Sequence, residues 1–404
     1  MRIQEVPSDT LLSNQEKIFK KKLMRVTTVP VSLNILLKGQ HRFFNQYFEV
    51  VGLASPGKEL DEVALSEEIR VVPIHMHRQI SLLNDVISLI RIFCVIKKEK
   101  PVIIHTHSPK AGTLGMIAAW VARVPVRLHT VAGLPLLEEK GFKRSILDLV
   151  EKITYRFATK VYPNSMGLYK IILQNGYAKE TKLKVIGNGS SNGIDINHFN
   201  PTLFNSEIKE GLRNELQISD QDLVFVFVGR LVKDKGINEL IVAFEKLEHQ
   251  NIKLLLVGNT EPELDPLLPS TKKSINNNSN IISVGFRQDV RPYLAISDVL
   301  VFPSYREGFP NVVMQAGAMG LPSIVTDING CNEIILNGLN GIIIPPKDDK
   351  ALTKAMDQFI ENPELVKQLS QNARESIVSR FDQQTMWNLI KEEYDKQLAA
   401  AGII

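Results

Sequence analysis

LVFVFVGRLVKDKGINELIVAFEKLEHQNIKLLLVG, residues 223–258, decides the fold. An unbroken apolar run, 223–228, stops at Gly229. A polar loop carrying Arg230 and Lys235 follows, a helical pattern fills about 236–249, and a second apolar run, IKLLLVG, occupies 252–258. Runs that are apolar throughout, rather than at every second residue, belong to a parallel sheet covered on both faces. Strand, helix and strand in that order make one right-handed crossover. Ligands of such sheets sit beyond the carboxyl ends of the strands. Arg230 and Lys235 stand at such an end, where a planar fork and a point charge suit a diphosphate; two charges in a solvated loop are the plainer alternative.

The same alternation runs through the chain. LMRVTTV (23–29), YFEVVGLAS (47–55), IRVVPIH (69–75), VIIHTH (102–107), VRLHTV (126–131) and KVYPNS (160–165) read as strands, with helices from about Asn34 and over 79–98 and 110–123. KVIGNGSSNGIDINHFNP (184–201), rich in Gly, Asn and Ser and closed by Pro, reads as a connector. Beyond 258 follow strands at IISVGF (281–286), VLVFPS (299–304), PSIVTD (322–327) and GIIIPP (341–346), with a helix near 311–319. The expected architecture is α/β, with two doubly wound Rossmann-like domains in tandem and a ligand cleft between them. The expected boundaries are a polar leader at 1–22, a first domain at 23–202, a second at 203–380, and a final helical stretch, 381–404. That stretch carries an apolar stripe at Met386, Leu389, Ile390 and Tyr394, and packs either on the second domain or back on the first.

Composition narrows the partners. The 404 residues are 44% hydrophobic and 23% charged, an ordinary globular balance with material for two cores. A net charge of +4 is mild and spread along the chain, which argues against nucleic acid and suits a phosphate-bearing ligand or an anionic membrane surface. Cys94 and Cys331, the only two cysteines, form no disulfide framework or metal spacing, which points to a reducing cytoplasm. The residues before Leu23 lack the apolar core of a secretory signal.

A second stretch carries chemistry. PSYREGFPNVVMQAGAMGLPSIVTD (303–327) places one carboxylate, Glu307, just before an apolar helix and an amide, Gln315, inside it. Helix-start N–H groups near Asn311 attract phosphate, and Gly308 lets a ligand approach the backbone. If the whole span were helical, Glu307 and Gln315 would stand about 12 Å apart, the reach from the sugar to the ribose of a nucleotide sugar. Taken singly, Glu307 as a dipole-favouring acid and Gln315 as a surface polar group are the plainer readings.

EGFPNVVMQAGAMGLPSIVTDINGCNEII, together with GRLVKDKG and the NGID connector, resembles the signature of retaining GT-B glycosyltransferases of the family 4 type, in the same order and spacing. VIIHTHSPKAGTLGMIAAWVARVPVRLHTVAGLP is similar to the first domain of bacterial polysaccharide and lipid-linked-oligosaccharide transferases of this group. The resemblance implies that Arg230 and Lys235 bind a donor diphosphate and that Glu307 contacts hydroxyls of the transferred sugar. It implies donor contacts from Gly229, Gly308, Phe309, Pro310, Asn311 and Val312. Gln315 stands where the family usually has a glutamate on the ribose, and an amide can also bond a diol. TTVPVSLN (27–34) replaces a Gly-Gly loop, with Ser32 and Asn34 expected near acceptor or phosphate. His129 either contacts the sugar or is a strand-end histidine satisfied by backbone. His105 and His107 lack a third metal ligand, and the family needs no metal or other cofactor. Lys110 is expected to meet an acceptor phosphate.

The implied reaction moves a sugar, with retention, from a nucleotide sugar, expected to be a UDP-sugar, to a hydroxyl of a glycan or polyprenyl-diphosphate-linked acceptor in surface polysaccharide biosynthesis. A nucleotide-sugar epimerase and a non-catalytic nucleotide-binding module are the rivals. Lys38, His41, Arg42, Phe43, Phe44 and Tyr47, with Ile35 to Leu37, make the first helix either a peripheral membrane contact on the inner face of the cytoplasmic membrane or a helix with an ordinary core face.

Overall fold

The computed structural model describes residues 20–77, 81–134, 136 and 139–403. The expected leader lies outside the described residues through residue 19, and Lys22 already opens the first strand. Two parallel six-stranded sheets form the frame. The first comprises β1 (Lys22–Val26), β2 (Glu49–Ala54), β3 (Arg70–Pro73), β4 (Ile103–Thr106), β5 (Val126–Val131) and β6 (Lys160–Pro163), in the order β3-β2-β1-β4-β5-β6. The second comprises β7 (Leu223–Val228), β8 (Ile252–Val257), β9 (Ile281–Gly285), β10 (Val299–Phe302), β11 (Ser323–Thr326) and β12 (Gly341–Ile344), in the order β12-β11-β10-β7-β8-β9. The order reverses at β1/β4 and at β7/β10, and those switch points open the crevices where α/β sheets bind ligands. The two-domain α/β fold expected from the apolar runs is therefore the one observed. All four residues of β10 and of β11 are buried, because helices cover both faces.

The chain crosses between the lobes twice, side by side. Ile194 N–H donates to the Phe381 carbonyl at 2.8 Å, and Gln383 N–H donates to the Ile194 carbonyl at 3.0 Å. After this crossing the Gln383–Ala400 helix lies on the first lobe, with Met386, Ile390, Tyr394 and Leu398 in one core with Leu23, Phe44 and Val50. Of the two readings of the first helix, this packing supports the ordinary core face. In the Gln40–Asn45 helix, Gln40, His41, Phe43 and Phe44 are buried. Phe43 packs on Trp387 at 5.4 Å between ring centroids and Phe44 on Tyr394 at 4.9 Å. The aromatic face that looks membrane-seeking in isolation is the seat of the C-terminal helix.

Candidate active site

The two loops with the strongest chemistry meet at the second switch point. β7 and β10 are hydrogen-bonded neighbours. After β7 the chain passes Gly229 and Arg230, makes a tight turn at Lys233–Lys235, and enters the Ile237–Glu245 helix at Gly236. Gly236 has φ 72°, and a Cβ there would lie 2.1 Å from the Pro303 carbonyl oxygen. Glycine is what lets this turn dock on the end of β10. Docked, Lys235 Nζ donates to Glu307 Oε1, and Ser304 Oγ donates to the same oxygen at 3.0 Å. Both members of the pair are only 16% exposed. Tyr305 N–H donates to the Asp234 carbonyl at 2.9 Å, and Tyr305 Oη donates to Glu239 at 2.5 Å, which clamps the two loops together. Arg230 Nη1 donates to Glu261 Oε2 at 2.6 Å in a more open position. Each cation thus faces a carboxylate at the strand ends where an anionic ligand of this fold would sit.

Glu307 to Pro310 are not helical; the helix runs Asn311–Ala318 and no side chain caps its start. The 12 Å helical ruler between Glu307 and Gln315 therefore does not apply, since half of that span is loop. Asn311 is exposed at the helix start, with Val312 and Gln315 half-buried behind it. Phe309 points the other way: its ring meets Phe381 at 5.4 Å between centroids, so it can offer a ligand its backbone only. Gly308 touches the opposite lobe. A Cβ on it would sit 1.6 Å from the Ala132 carbonyl oxygen, so the loop after β5 and the Glu307 loop close on each other across the cleft.

Several first-lobe expectations change. His129 does not face the cleft. It pairs in register with Thr106, and that strand parity turns its ring under the Pro109–Val121 helix. There Nδ1 lies 2.7 Å from Thr106 Oγ1, and a Cβ on Gly112 would come 2.4 Å from Cε1. Burial pushes its pKa down to about 4, so it is a neutral core histidine. Ala132 and Gly133 occupy the cleft side instead. Asn34 donates to Glu62 at 3.0 Å, and Ser32 begins the turn of π-helix Ser32–Leu36 beside it. The polar groups at the end of β1 are Thr27 and Thr28, and Thr28 Oγ1 lies 2.8 Å from Ser108 Oγ. Lys110 Nζ is held by Asp85 at 2.7 Å. His105 uses both ring nitrogens, Nδ1 at 2.6 Å from Tyr394 Oη and Nε2 at 2.8 Å from Thr130 Oγ1, which leaves no lone pair for a metal. Among the described residues no group of three or more His, Cys, Asp or Glu is placed to hold a metal.

Sequence reasoning missed the residues that join the lobes. Asn329 Nδ2 donates to the Glu307 and Gly308 carbonyls at 3.1 and 2.7 Å, while its Oδ1 accepts from Ser165 Oγ of the first lobe at 2.8 Å. Glu333 accepts from the N–H groups of Met166 and Gly167 at 2.7 and 2.9 Å. Its carboxylate thus sits at the start of the Met166–Gln174 helix, where negative charge is favoured. A signal existed in DINGCNEII: Asn329 and Glu333 stand four residues apart, one helical turn, on either side of Gly330.

Residues 208–376 match the family profile of glycosyl transferases group 1, and residues 45–189 match a glycosyl transferase 4-like domain. The chain is 35% identical over 378 residues to the capsular polysaccharide biosynthesis glycosyltransferase CapM of Staphylococcus aureus, covering 93% of this chain and 97% of that one. It is 30% identical over 390 residues to the UDP-Gal:alpha-D-GlcNAc-diphosphoundecaprenol alpha-1,3-galactosyltransferase of Escherichia coli, covering 92% and 97%. HepE of Anabaena in complex with UDP superposes with a TM-score of 0.78 at 20% identity, over 93% of this chain and all of that one. With its two facing Rossmann-like lobes, the chain belongs to the group 1 glycosyl transferases and is a glycosyltransferase of GT-B fold.

Proposed function

We propose that the chain transfers a hexose-type sugar, with retention, from a UDP-sugar to a hydroxyl of a polyprenyl-diphosphate-linked glycan, on the cytoplasmic side of the membrane, in surface polysaccharide assembly. One observation carries the reading: Lys235, Arg230 and the uncapped start of the Asn311–Ala318 helix converge with Glu307 at the β7/β10 switch point. The UDP preference draws on the HepE complex and on the UDP-Gal donor of the E. coli relative. The acceptor class draws on that relative's diphosphoundecaprenol substrate.

In this mechanism the bond between the anomeric carbon and the diphosphate oxygen breaks as the acceptor oxygen bonds the same face of that carbon. The acceptor proton passes to the leaving diphosphate. Charge grows on that diphosphate, and Arg230, Lys235 and the helix-start N–H groups neutralise it in place, without calling on a metal. Lys235 must turn from Glu307 toward the phosphate. Glu307, still bonded by Ser304, is then released toward the sugar hydroxyls. Gly229, Gly308 and Pro310 supply close backbone, and Gln315 reaches the ribose. His129, buried in the first lobe, takes no part.

The test is transfer from a panel of nucleotide sugars to a polyprenyl-diphosphate-linked acceptor. Removing one preorganised charge donor costs on the order of 100-fold in turnover. Arg230→Ala and Lys235→Ala should each lose that much while staying folded, Arg230→Ala melting like the parent and Lys235→Ala, which leaves the shielded Glu307 without its cation, melting lower. Transfer near the parental rate by both variants would end the proposal.

A further inference from the structure

Arg25 interrupts the apolar run of β1 and is wholly buried. Strand alternation puts it on the same face as Leu23, and its register partner on β4 is His105. The guanidinium donates to Tyr394 Oη at 2.9 Å and to Gln40 Oε1, and both partners are neutral. Glu67, whose field reaches it, holds its two oxygens on the N–H groups of Gly39 and Arg42 at 2.6 and 3.0 Å. Buried charges are ordinarily paired, and this one is hydrogen-bonded to neutral groups alone.

Gln40 and His105, which flank Arg25, also line a cavity of about 10 Å³, room for one guest the size of a water or a halide ion. Its other walls meet where the chain crosses between the lobes. His107 and Asn164 come from strand ends of the first sheet, Ser191 from the connector and Met386 from the Gln383–Ala400 helix. No Asp or Glu lines it among the described residues. Three of the lining side chains present buried polar atoms without a partner in the protein: both ring nitrogens of His107, Ser191 Oγ and Asn164 Oδ1. These residues are 4%, 9% and 5% exposed. Such groups are satisfied by a guest where the protein does not satisfy them. The His107 ring is held in place by stacking on His105, 4.1 Å between centroids, and His105 is fixed at both nitrogens by Tyr394 and Thr130. Burial, then His105 and then Arg25 hold the His107 pKa well below its usual value, so the guanidinium's field extends to the cavity wall. The neutral ring keeps one N–H to donate.

We propose that this cavity is a halide site: a chloride ion accepts from His107 and Ser191, and from the Asn164 amide turned to present its N–H, with Arg25 behind Gln40 and His105 as its counter-charge. A water would answer the hydrogen bonds and leave the guanidinium without a counter-charge. Sulfate or phosphate is too large for the space. Seated at the crossing, the ion ties the connector to the first lobe. It would act beside Gln40 Nε2, which already donates to the Ser191 carbonyl at 3.2 Å and to Asn192 Oδ1 at 2.9 Å. The site uses neither sugar donor nor acceptor, so it stands or falls apart from the transfer reading.

Thermal unfolding of the full chain in sodium chloride, sodium bromide and sodium gluconate, all at one ionic strength so that screening is constant, tests it. Between about 5 and 200 mM, chloride and bromide should each raise the melting temperature by about 2–4 °C over gluconate, growing with the logarithm of concentration as mass action at one site requires. Ser191→Ala deletes a hydroxyl that bonds nothing in the protein. It should melt like the parent in gluconate and lose at least half of the halide-dependent rise. Anomalous diffraction from crystals grown in bromide should place a peak between His107 and Ser191. No rise with halide, an undiminished rise in Ser191→Ala, or a water at that point in the bromide crystals would each overturn the proposal. A bromide peak without the rise in solution would mark an adventitious ion only and would overturn it as well.

Discussion

On the proposed transfer reading Glu261 competes with the donor diphosphate for Arg230, and removing its charge should tighten donor binding. Its Oε2 accepts from Arg230 Nη1 at 2.6 Å, so in the free enzyme the guanidinium assigned to the donor diphosphate is already engaged. Arg230 is 50% exposed and Glu261 32%. An ion pair this open contributes roughly 0–1 kcal/mol, so its loss should leave the melting temperature nearly unchanged. A diphosphate arriving at Arg230 must break the same pair and bear the repulsion of the displaced carboxylate. Glu261→Gln removes both costs, and at 1.4 kcal/mol per decade the gain is about two- to fivefold in Kd for UDP. Calorimetric titration with UDP would measure it, in low and in high salt. The gain should shrink at high salt, and it should vanish in an Arg230→Ala background, since a double-mutant cycle isolates the pair. Weaker UDP binding by Glu261→Gln would refute the reasoning and would place the carboxylate on the nucleotide itself. An undiminished gain without Arg230 would show that Glu261 acts on a different cation.

Three further outcomes follow from the packing. Gly308→Ala puts a methyl 1.6 Å from the Ala132 carbonyl oxygen, and both partners are backbone. The lobes should be held apart, seen as a larger radius of gyration in solution scattering, with transfer lost and each lobe still folded; an active, equally compact variant would contradict the contact. Glu333→Ala leaves the Ser165 cap in place but strips the acceptor from the first two N–H groups of the Met166–Gln174 helix across the interface, and should cost about 0.5–2 kcal/mol in thermal unfolding, with Glu333→Gln recovering part of it. Glu151, whose pKa burial pushes up to about 7, binds a proton more tightly folded than unfolded. Its stability contribution is full below about pH 4.5 and is lost as pH rises through 7, so Glu151→Gln should be the more stable protein at pH 8 by about 3 kcal/mol and equal to the parent at pH 4, read from melts across that range.

The strands were legible because a covered parallel sheet writes itself as unbroken apolar runs. β5 was placed at both ends, and β7, β8 and β12 to within two residues. What stayed hidden depends on contacts distant in sequence. The aromatic face of Gln40–Asn45 reads as amphipathic because its cover, Trp387 and Tyr394, arrives more than three hundred residues later. His129 was misplaced by the parity of a strand end, which periodicity inside a fully apolar run cannot reveal. Lys235 and Glu307 were each singled out, yet their direct pairing follows from β7 and β10 being neighbours, and chain order alone does not give sheet order. The acid–amide spacing from Glu307 to Gln315 was measured along a helix that starts four residues late.

The contacts across the cleft gather on the same loop that holds the candidate chemistry. Gly308 meets Ala132, the Glu307 and Gly308 carbonyls are bonded by Asn329, and Asn329 is bonded in turn by Ser165 of the first lobe. Beneath them Phe309 lies against Gly189, where a Cβ would come within 2.9 Å of the ring, and Gly189 belongs to the connector between the lobes. A loop bonded to both lobes and to the connector cannot hold its shape when the lobes part. Glu307, which follows Ser304 in that loop, would then lose its fixed geometry toward Lys235 first. An open enzyme can therefore bind a diphosphate through Arg230 alone, since Arg230 and Glu261 lie within one lobe and touch none of these groups. What closure adds to Lys235 and Glu307, which pair within the second lobe, is the clamp of Asn329 and Ala132 on the carbonyl side of the same loop. Binding and chemistry are thus separable in this fold: Arg230 variants should raise KM as well as lower kcat, whereas Gly308→Ala should spare UDP affinity and abolish turnover. A Gly308→Ala protein that no longer binds UDP would show that closure is already needed to capture the donor.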